Sequence, residues 1–261
     1  NTKVICYCHT PPRYLYGYDT SINLQKYWPV RIYAWVVNHF LRLYDAWAAE
    51  TVDVWIANSL NIQRRIKKFY RKDSMVVYPV VEVKKFVEGS KGVKKQDYFL
   101  IVSRLVGSKG LEEAAKAAKR EGFRLKISGS KAGLSGVAEN LKKLGGENVE
   151  LLGRVSDAKL AKLYAGAKGF IALAKDEDFG ITPVEAMACG TPVIAFNGGG
   201  FKESVVDGVT GVLINDTSEK TIGKAVRKVL KTKWDKKKLQ KQARKFSRER
   251  FEREMKKVIG K

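Results

Sequence analysis

The sequence predicts an α/β protein built around parallel β-sheets. Short apolar segments of strand length alternate with amphipathic segments of helical period along most of the chain. The segments between them are short, and such an order produces right-handed βαβ connections and parallel sheets. Hydrophobic residues make up 44% of the 261 residues, enough for a packed core. No uninterrupted apolar run approaches the ~20 residues that a membrane span needs.

The first part of the chain, residues 1–80, is predicted to hold three strands and two helices. The strands are expected at Lys3–Cys8, Val52–Ala57 and Ser74–Tyr78, and the helices at Arg31–Glu50 and from the Asn58-Ser59 cap to Tyr70. Aromatic and aliphatic side chains share one stripe of the first helix, from Tyr33 to Trp47, which predicts a core face; a lipid-facing role is the alternative. The chain starts directly on a strand without Met, which indicates that it is the back part of a longer protein.

A loose, lysine-rich stretch from Val80 to Asp97 suits an interdomain connection. Beyond it the strand–helix alternation is regular. Strands are predicted at Tyr98–Val102, Arg124–Gly129, Val149–Gly153, Gly169–Ala174, Pro192–Phe196 and Gly211–Ile214. Helices are predicted at Lys109–Glu121, Leu134–Leu144, Asp157–Ala165, Pro183–Cys189, Phe201–Val206, Ser218–Lys231 and Asp235–Lys257.

The net charge is strongly positive. Lys plus Arg number 50 against 27 acids, a formal charge of +23, which attracts polyanions such as nucleic acid, an anionic membrane or phosphorylated small molecules. A solvated, lysine-rich surface is the alternative interpretation. No nucleic-acid-binding motif accompanies the charge. The three cysteines have no metal-ligand spacing and suggest buried thiols in a reducing cytosol.

Candidate site residues follow two of the predicted strands. Arg104 and Lys109 lie on a strand-to-helix loop, where two cations and free backbone amides would hold a diphosphate; two solvated cations are the alternative. Glu177 and Glu185 surround the start of the helix near Pro183. Glu177 could belong to a solvated acidic turn, and Glu185 could serve only in a capping box with Thr182. Glycines at 180 and 198–200 would bring backbone close to a ligand.

Several of these segments resemble the retaining family-four glycosyltransferases (glycosyltransferase group 1). The segment from Glu177 to Gly190 is similar to that family's E-x7-E motif, and Ser103-Arg104-Leu105 with Lys109-Gly110 is similar to its diphosphate-binding arginine and lysine. Residues 7–14 resemble mannosyltransferases of the family. Similarity continues through 57–70, 148–155 and 199–211, so it spans nearly the whole chain.

The resemblance implies a GT-B type α/β fold: a complete Rossmann-like donor domain plus the C-terminal part of a second Rossmann-like domain. The domains would be residues 1–80 on the acceptor side, 81–245 on the donor side, and a terminal helix at 246–261 that crosses back to the first domain. The family's longer N-terminal domain, with its glycine-rich loop, would be mostly missing. A nucleotide-sugar-binding half without activity of its own is therefore the alternative to a complete enzyme.

The resemblance also implies residue roles for transfer of a hexose, mannose from GDP-mannose, with retention and without a metal or other cofactor. Catalytic roles fall to Glu177, His9, Arg104 and Lys109. Donor contacts fall to Arg104, Lys109, Gly129, Arg154, Val155, Glu177, Phe179, Gly180, Ile181 and Glu185. The partners would be a nucleotide sugar linked to GDP or UDP, a glycan or lipid-linked acceptor, and an anionic membrane in peripheral contact, with no nucleic acid. The location would be cytoplasmic, including the inner face of the membrane.

Overall fold

The structure, a computed structural model, describes residues 2–18, 27–130 and 136–260. The chain divides into two compact units, residues 1–78 and residues 79–261. A search of the described helices for one long and apolar enough to cross a lipid bilayer gave no candidate.

The first unit holds a three-stranded parallel sheet and two helices. Its elements are β1 (Ile5–Cys8), α1 (Trp28–Glu50), β2 (Val54–Ala57), α2 (Leu60–Tyr70) and β3 (Met75–Val76), with strand order β1-β2-β3. The predicted cap of α2 is confirmed, since the Ile62 amide donates to the Ser59 hydroxyl at 3.1 Å. The helix ends at Arg71, whose backbone is left-handed.

The predicted core face of α1 is wrong. Its aromatic stripe is exposed, whereas the side turned to the unit is polar and small. Arg42 donates to the Leu15 carbonyl at 3.2 Å, and the Asp45 carboxylate accepts from Tyr16 at 2.7 Å and from Tyr70 at 2.9 Å. Ala49 is buried in the small core of the unit. The periodicity identified a shared face correctly, but these polar contacts turn the other face inward.

The second unit is a six-stranded parallel sheet with helices between the strands. The strands are β4 (Phe99–Val102), β5 (Leu125–Ser128), β6 (Val149–Gly153), β7 (Gly169–Ala172), β8 (Val193–Phe196) and β9 (Gly211–Ile214). The helices are α3 (Val83–Gly89), α4 (Leu111–Glu121), α5 (Val137–Gly145), α6 (Asp157–Gly166), α7 (Ile181–Ala188), α8 (Phe201–Ser204), α9 (Glu219–Lys231), α10 (Lys236–Arg244) and α11 (Arg248–Ile259). Residues 134 and 135 of the helix predicted at Leu134–Leu144 lie outside the described residues.

The strand order of this sheet is β6-β5-β4-β7-β8-β9. The chain therefore builds outward from β4 to one edge, returns to β7 beside β4, and builds outward to the other edge. Such a reversal leaves a crevice outside the carboxyl ends of the two central strands, where open α/β sheets bind ligands. The parallel α/β class predicted from the alternation is confirmed, and its switch point lies between β4 and β7.

Two predictions about the ends of this unit are wrong. The stretch expected to be a loose connection contains α3, whose Phe86 is buried against Tyr164 of α6. The single helix expected at Asp235–Lys257 is two helices, because Phe246 turns into the core and Ser247 is extended. The carbonyl of Phe246 accepts from the Val81 amide at 2.9 Å, which fixes this break. A crossing of 246–261 to the first unit stays a prediction.

Candidate functional site

The residues predicted after β4 and after β7 lie at the same edge of the sheet. β4 and β7 are adjacent and parallel, with Phe99 opposite Gly169 and Leu100 opposite Phe170. Their carboxyl ends therefore point the same way, and the loops that follow them border one crevice. The first loop carries Arg104 and Lys109, and the second carries Glu177.

The ammonium of Lys109 lies 2.7 Å from a carboxylate oxygen of Glu177, and both side chains are about a quarter exposed. Lys109 ends a short 3-10 turn, and Gly110 follows it with a left-handed backbone. A β-carbon on Gly110 would lie 2.5 Å from that of Leu173, so the glycine lets the turn press against the end of β7. Gly110 occupies the N-cap of α4. Lys109, which precedes the N-terminus of α4, is thus paired with an acid from the loop after the neighbouring strand.

Arg104 lies on the same loop as Lys109 and differs from it in environment. Its side chain is exposed, and among the described residues it forms no hydrogen bond or ion pair. The backbone around it is held by the Leu105 amide, which donates to Ser130 at 3.1 Å. The planar guanidinium of Arg104 can donate to two oxygens of a phosphate group.

The triple glycine after β8 supports the Glu177 loop. The Gly200 amide donates to the Glu177 carbonyl at 2.8 Å. β-Carbons on Gly199 and Gly200 would lie 2.4 Å from the Glu177 carbonyl oxygen and 2.3 Å from the α-carbon of Phe179. These glycines were predicted to admit a ligand. The structure shows instead that they admit the neighbouring loop, and thereby hold Glu177 in place.

The start of α7 differs from the predicted capping box. Gly180, with a left-handed backbone and no side chain, occupies the cap. Thr182 and Pro183 therefore fall inside the first turn, where proline is tolerated because its missing N–H has no partner in the helix. Phe179 is buried against Phe246, while Ile181 is exposed. The first turn of α7 follows directly on the loop that carries Glu177, and the N-terminus of a helix favours an anionic group.

Glu185 is explained by a side chain that the sequence analysis missed. Its carboxylate accepts from the hydroxyl of Tyr164 on α6 at 2.7 Å, and Tyr164 is fully buried. Burial raises the pKa of Glu185 above its ordinary value and also raises the pKa of Tyr164. Its hydroxyl holds the Glu185 carboxylate in one orientation.

The raised pKa of Glu185 predicts a pH-dependent gain in stability for Glu185→Gln. The folded state binds the Glu185 proton more tightly than the unfolded chain, so ionisation destabilises the folded state as pH rises through the raised pKa. The variant should match the parent melting temperature near pH 4 and exceed it at pH 7, by about 2–4 °C for each 1 kcal/mol. Scanning calorimetry from pH 4 to pH 8 measures this. The exposed control Glu147→Gln should show no such trend, and a less stable Glu185→Gln at pH 7 would contradict the burial argument.

The ends of β5 and β6 complete this edge of the sheet. Gly129 follows β5, and its amide donates to the Gly153 carbonyl at 2.9 Å. A β-carbon on Gly129 would lie 1.7 Å from the Ser103 carbonyl oxygen, which makes glycine necessary where the two loops meet. Arg154 is exposed and Val155 half-buried directly after β6, ahead of the Ser156 cap of α6. The second unit thus brings all the predicted donor contacts to one edge.

His9 is the exception, because it belongs to the first unit. It is exposed directly after β1, its ring meets Tyr7 edge-on at 5.2 Å between centroids, and its carbonyl accepts from Asn58 at 3.0 Å. A search of the described residues for three or more His, Cys, Asp or Glu side chains that could hold a metal ion gave none. The site therefore offers two cations, two carboxylates and backbone amides, a set that suits a ligand with phosphates and hydroxyls.

Comparisons with known proteins show which family the chain resembles. Residues 83–246 match the family model of glycosyl transferases group 1. The chain is 29% identical to the alpha-1,3/1,6-mannosyltransferase ALG2 of Dictyostelium discoideum, over 83% of this chain and 59% of that protein. It is 31% identical to the D-inositol 3-phosphate glycosyltransferase of Segniliparus rotundus, over 62% of this chain and 41% of that protein.

Solved structures share the fold. The Anabaena protein Alr3699/HepE, in complex with UDP and glucose, superposes with a TM-score of 0.67 at 22% identity, over 86% of this chain and 67% of that one. The matched curated relatives are longer, and the chain spans 59% and 41% of the two named above. The fold is that of the GT-B glycosyltransferases, and the family match covers most of the chain. On this evidence the chain belongs to the group 1 glycosyltransferase family.

Proposed function

We propose that the chain binds a nucleotide-diphospho-sugar at the carboxyl ends of β4 and β7 and takes part in transfer of its hexose, mannose from GDP-mannose, to an acceptor hydroxyl. Transfer retains the anomeric configuration and uses no metal or other cofactor. The observation that carries the proposal is the Lys109–Glu177 pair at the switch point of the sheet, with Arg104 exposed on the same loop.

The leaving group dictates what the cations do. A nucleotide diphosphate leaves with negative charge on its phosphate oxygens, so transfer requires stabilisation of that charge more than covalent chemistry by the protein. Arg104 offers a planar guanidinium and Lys109 a compact ammonium. The first amides of α7, at Gly180 and Ile181, add dipoles of the same sign. These groups supply the countercharge that a divalent cation supplies in other transferases.

Donor binding exchanges the partner of Lys109. Without donor, Lys109 pairs with Glu177. A diphosphate carries more charge than one carboxylate and attracts the ammonium more strongly. Glu177 is then released toward the sugar, where a carboxylate accepts hydrogen bonds from hydroxyl groups. The same exchange places the Lys109 ammonium at the phosphates and the carboxylate oxygens of Glu177 at the hydroxyl groups of the hexose.

The remaining contacts follow from the edge of the sheet. Glu185, held by Tyr164, accepts hydrogen bonds from the ribose hydroxyls, and the backbone at Phe179 contacts the phosphates and sugar. Gly129 lines the floor between the β4 and β5 loops, and the backbone at Arg154 and Val155 meets the base. His9 approaches the sugar or the acceptor from the first unit.

Mannose and the acceptor rest on weaker support than the donor class. The mannosyltransferase similarity supports mannose, but similarity to D-inositol 3-phosphate glycosyltransferases shows that the family uses other substrates. The acceptor is a glycan or a lipid-linked sugar. The charge of +23 supports a cytoplasmic protein in peripheral contact with the anionic inner face of the membrane.

The proposal is tested by nucleotide binding and turnover together. GDP, UDP and ADP and their sugars are compared by the rise in melting temperature, since a ligand at 100 times its Kd stabilises the folded state by about 2.7 kcal/mol. GDP and GDP-mannose should give the largest rise, and hexose transfer from GDP-mannose should be detectable with a lipid-linked or glycan acceptor. A larger rise with UDP rejects the mannose assignment, and no rise with any nucleotide rejects the donor site.

A second candidate is a donor-binding module without turnover. It is favoured by the small size of the first unit, whose sheet has three strands in the described residues, against six in the second. It predicts the same GDP-induced rise with no transfer to any acceptor. The two outcomes separate the candidates.

A further inference from the structure

We propose that the exposed apolar face of α1 binds the surface of an anionic lipid bilayer, with the helix lying in the plane of the membrane. The aromatic face, as we call it, consists of Ile32, Tyr33, Val36, Phe40, Leu43, Tyr44 and Trp47. The aromatic face would be the surface that makes the membrane contact proposed above. This proposal does not depend on the donor site, because α1 lies in the first unit and the donor site in the second.

The aromatic face is continuous along four turns. Its members recur every three or four residues, so their side chains share one side of the helix. Six of the seven are between 58% and 69% exposed, and Val36 is 44% exposed. Trp28 and Trp35, 71% and 73% exposed, lie on the side of Arg42 and do not belong to the aromatic face. Soluble domains rarely expose so large a contiguous apolar surface without a partner for it.

The orientation of the helix is set by contacts on its opposite side. Arg42, Asp45 and Ala49 are spaced three and four residues apart and face the unit. Arg42 binds the Leu15 carbonyl, Asp45 accepts from two tyrosine hydroxyls, and Ala49 is buried. The charged residues of α1 are Arg31, Arg42, Asp45 and Glu50, and none belongs to the aromatic face. These contacts on the opposite side of α1 orient the helix and leave the aromatic face exposed.

The composition of the face favours a lipid interface over a second helix. A helical coiled coil requires a narrow seam of Leu, Ile and Val, whereas this face is broad and mostly aromatic. Trp and Tyr combine an apolar ring with a polar tip and are enriched where the acyl region of a bilayer meets water. A helix of 23 residues is about 35 Å long at ~1.5 Å per residue and can lie along such a boundary.

Basic side chains next to α1 favour binding to an anionic membrane surface. The helix α2 packs against α1, and the stretch Leu60–Lys72 contains six Lys or Arg residues and no acid. Arg64, Lys68 and Arg71 in this stretch are exposed. Each basic side chain near an anionic leaflet adds about 1 kcal/mol of attraction. The apolar face and the adjacent basic helix form the combination typical of helices that bind in a membrane interface.

The test compares vesicle binding by three forms of the full chain. Vesicles of phosphatidylcholine alone, and with phosphatidylserine, are sedimented with the parent, with Val36→Gln/Phe40→Gln/Trp47→Gln, and with the control Val206→Gln/Leu230→Gln/Ile259→Gln. The control removes three exposed apolar side chains of the second unit. We expect the parent and the control to bind the anionic vesicles with a blue shift of tryptophan emission, and the α1 variant to bind at least tenfold more weakly. Arg64→Gln/Lys68→Gln should reduce the preference for phosphatidylserine.

Several results would overturn the proposal. One is a parent that binds neither vesicle, and another is an α1 variant that binds as the parent does, which would indicate adsorption by the lysine-rich surface alone. A third is a parent that self-associates without lipid while the α1 variant stays monomeric, which would assign the face to a second copy. The GDP-induced rise in melting temperature is measured on all forms. Its retention in the α1 variant shows that the second unit is folded. Its absence in the parent contradicts the donor site and leaves the membrane proposal untouched.

Discussion

Replacing Arg104 and Lys109 together by alanine is expected to weaken GDP binding by roughly 100-fold to 10,000-fold. A hydrogen bond to a charged group contributes about 1.5–3 kcal/mol, and the variant removes two cations from the diphosphate site. Each 1.4 kcal/mol is about a factor of ten in Kd. Transfer from GDP-mannose should fall at least as far, because the charge on the phosphates grows as the bond to the sugar breaks.

Isothermal titration calorimetry with GDP measures this loss of affinity in the double variant. A second double variant that also loses two positive charges is the control. Arg124→Ala/Lys142→Ala removes the same charge from exposed side chains at a groove near the amino ends of β4, β5 and β6. That pair should bind GDP as the parent does. If both double variants bind GDP equally weakly, the parent binds GDP by the general electrostatic attraction of a protein of charge +23. If only the control variant binds GDP more weakly, the donor lies at the opposite edge of the sheet.

Glu177→Ala should act in opposite directions on GDP and on GDP-mannose. Glu177 competes with phosphate for Lys109, so its removal frees the ammonium and GDP should bind as tightly as to the parent or more tightly. GDP-mannose gains the same ammonium but loses the hydroxyl contacts of the carboxylate. Its transfer should fall about 100-fold or more, in the range seen when one group that stabilises a transition state is removed.

The control for this variant is Glu150→Ala, which breaks the ion pair of Glu150 with Lys126 at 3.2 Å, near the amino end of the sheet. It should change neither GDP binding nor transfer. A Glu177→Ala variant that binds GDP more weakly than the parent would show that Glu177 supports the phosphate site and does not compete for it. Unchanged transfer would remove Glu177 from the catalytic residues.

The sheet could be predicted from the sequence because local patterns determine it. The strand at Val149–Gly153 has the predicted bounds, and the loops that follow β4 and β7 carry the predicted charged residues. Parallel order brings such loops to one edge without further information. The pairing of Lys109 with Glu177 could not be predicted, since the two residues are 68 positions apart and meet only because β4 and β7 are neighbours.

Other failures have the same origin in tertiary contacts. Thr182 and Glu185 have the spacing of a capping box. In the structure Gly180 occupies the N-cap, and the Tyr164 hydroxyl donates to the Glu185 carboxylate. The three glycines after β8 suggested space for a ligand, whereas the Glu177 loop fills it. Periodicity showed that the aromatic residues of α1 share a face. It could not show which face the contacts of Asp45 would bury.

The most direct test of the donor site is a crystal structure of the chain with GDP bound. We expect the diphosphate outside the carboxyl ends of β4 and β7, with the Lys109 ammonium bound to a phosphate oxygen and no longer 2.7 Å from Glu177. Arg104 should contact the same diphosphate, and Glu185 the ribose. GDP bound elsewhere, or GDP bound with the Lys109–Glu177 pair intact, would contradict it.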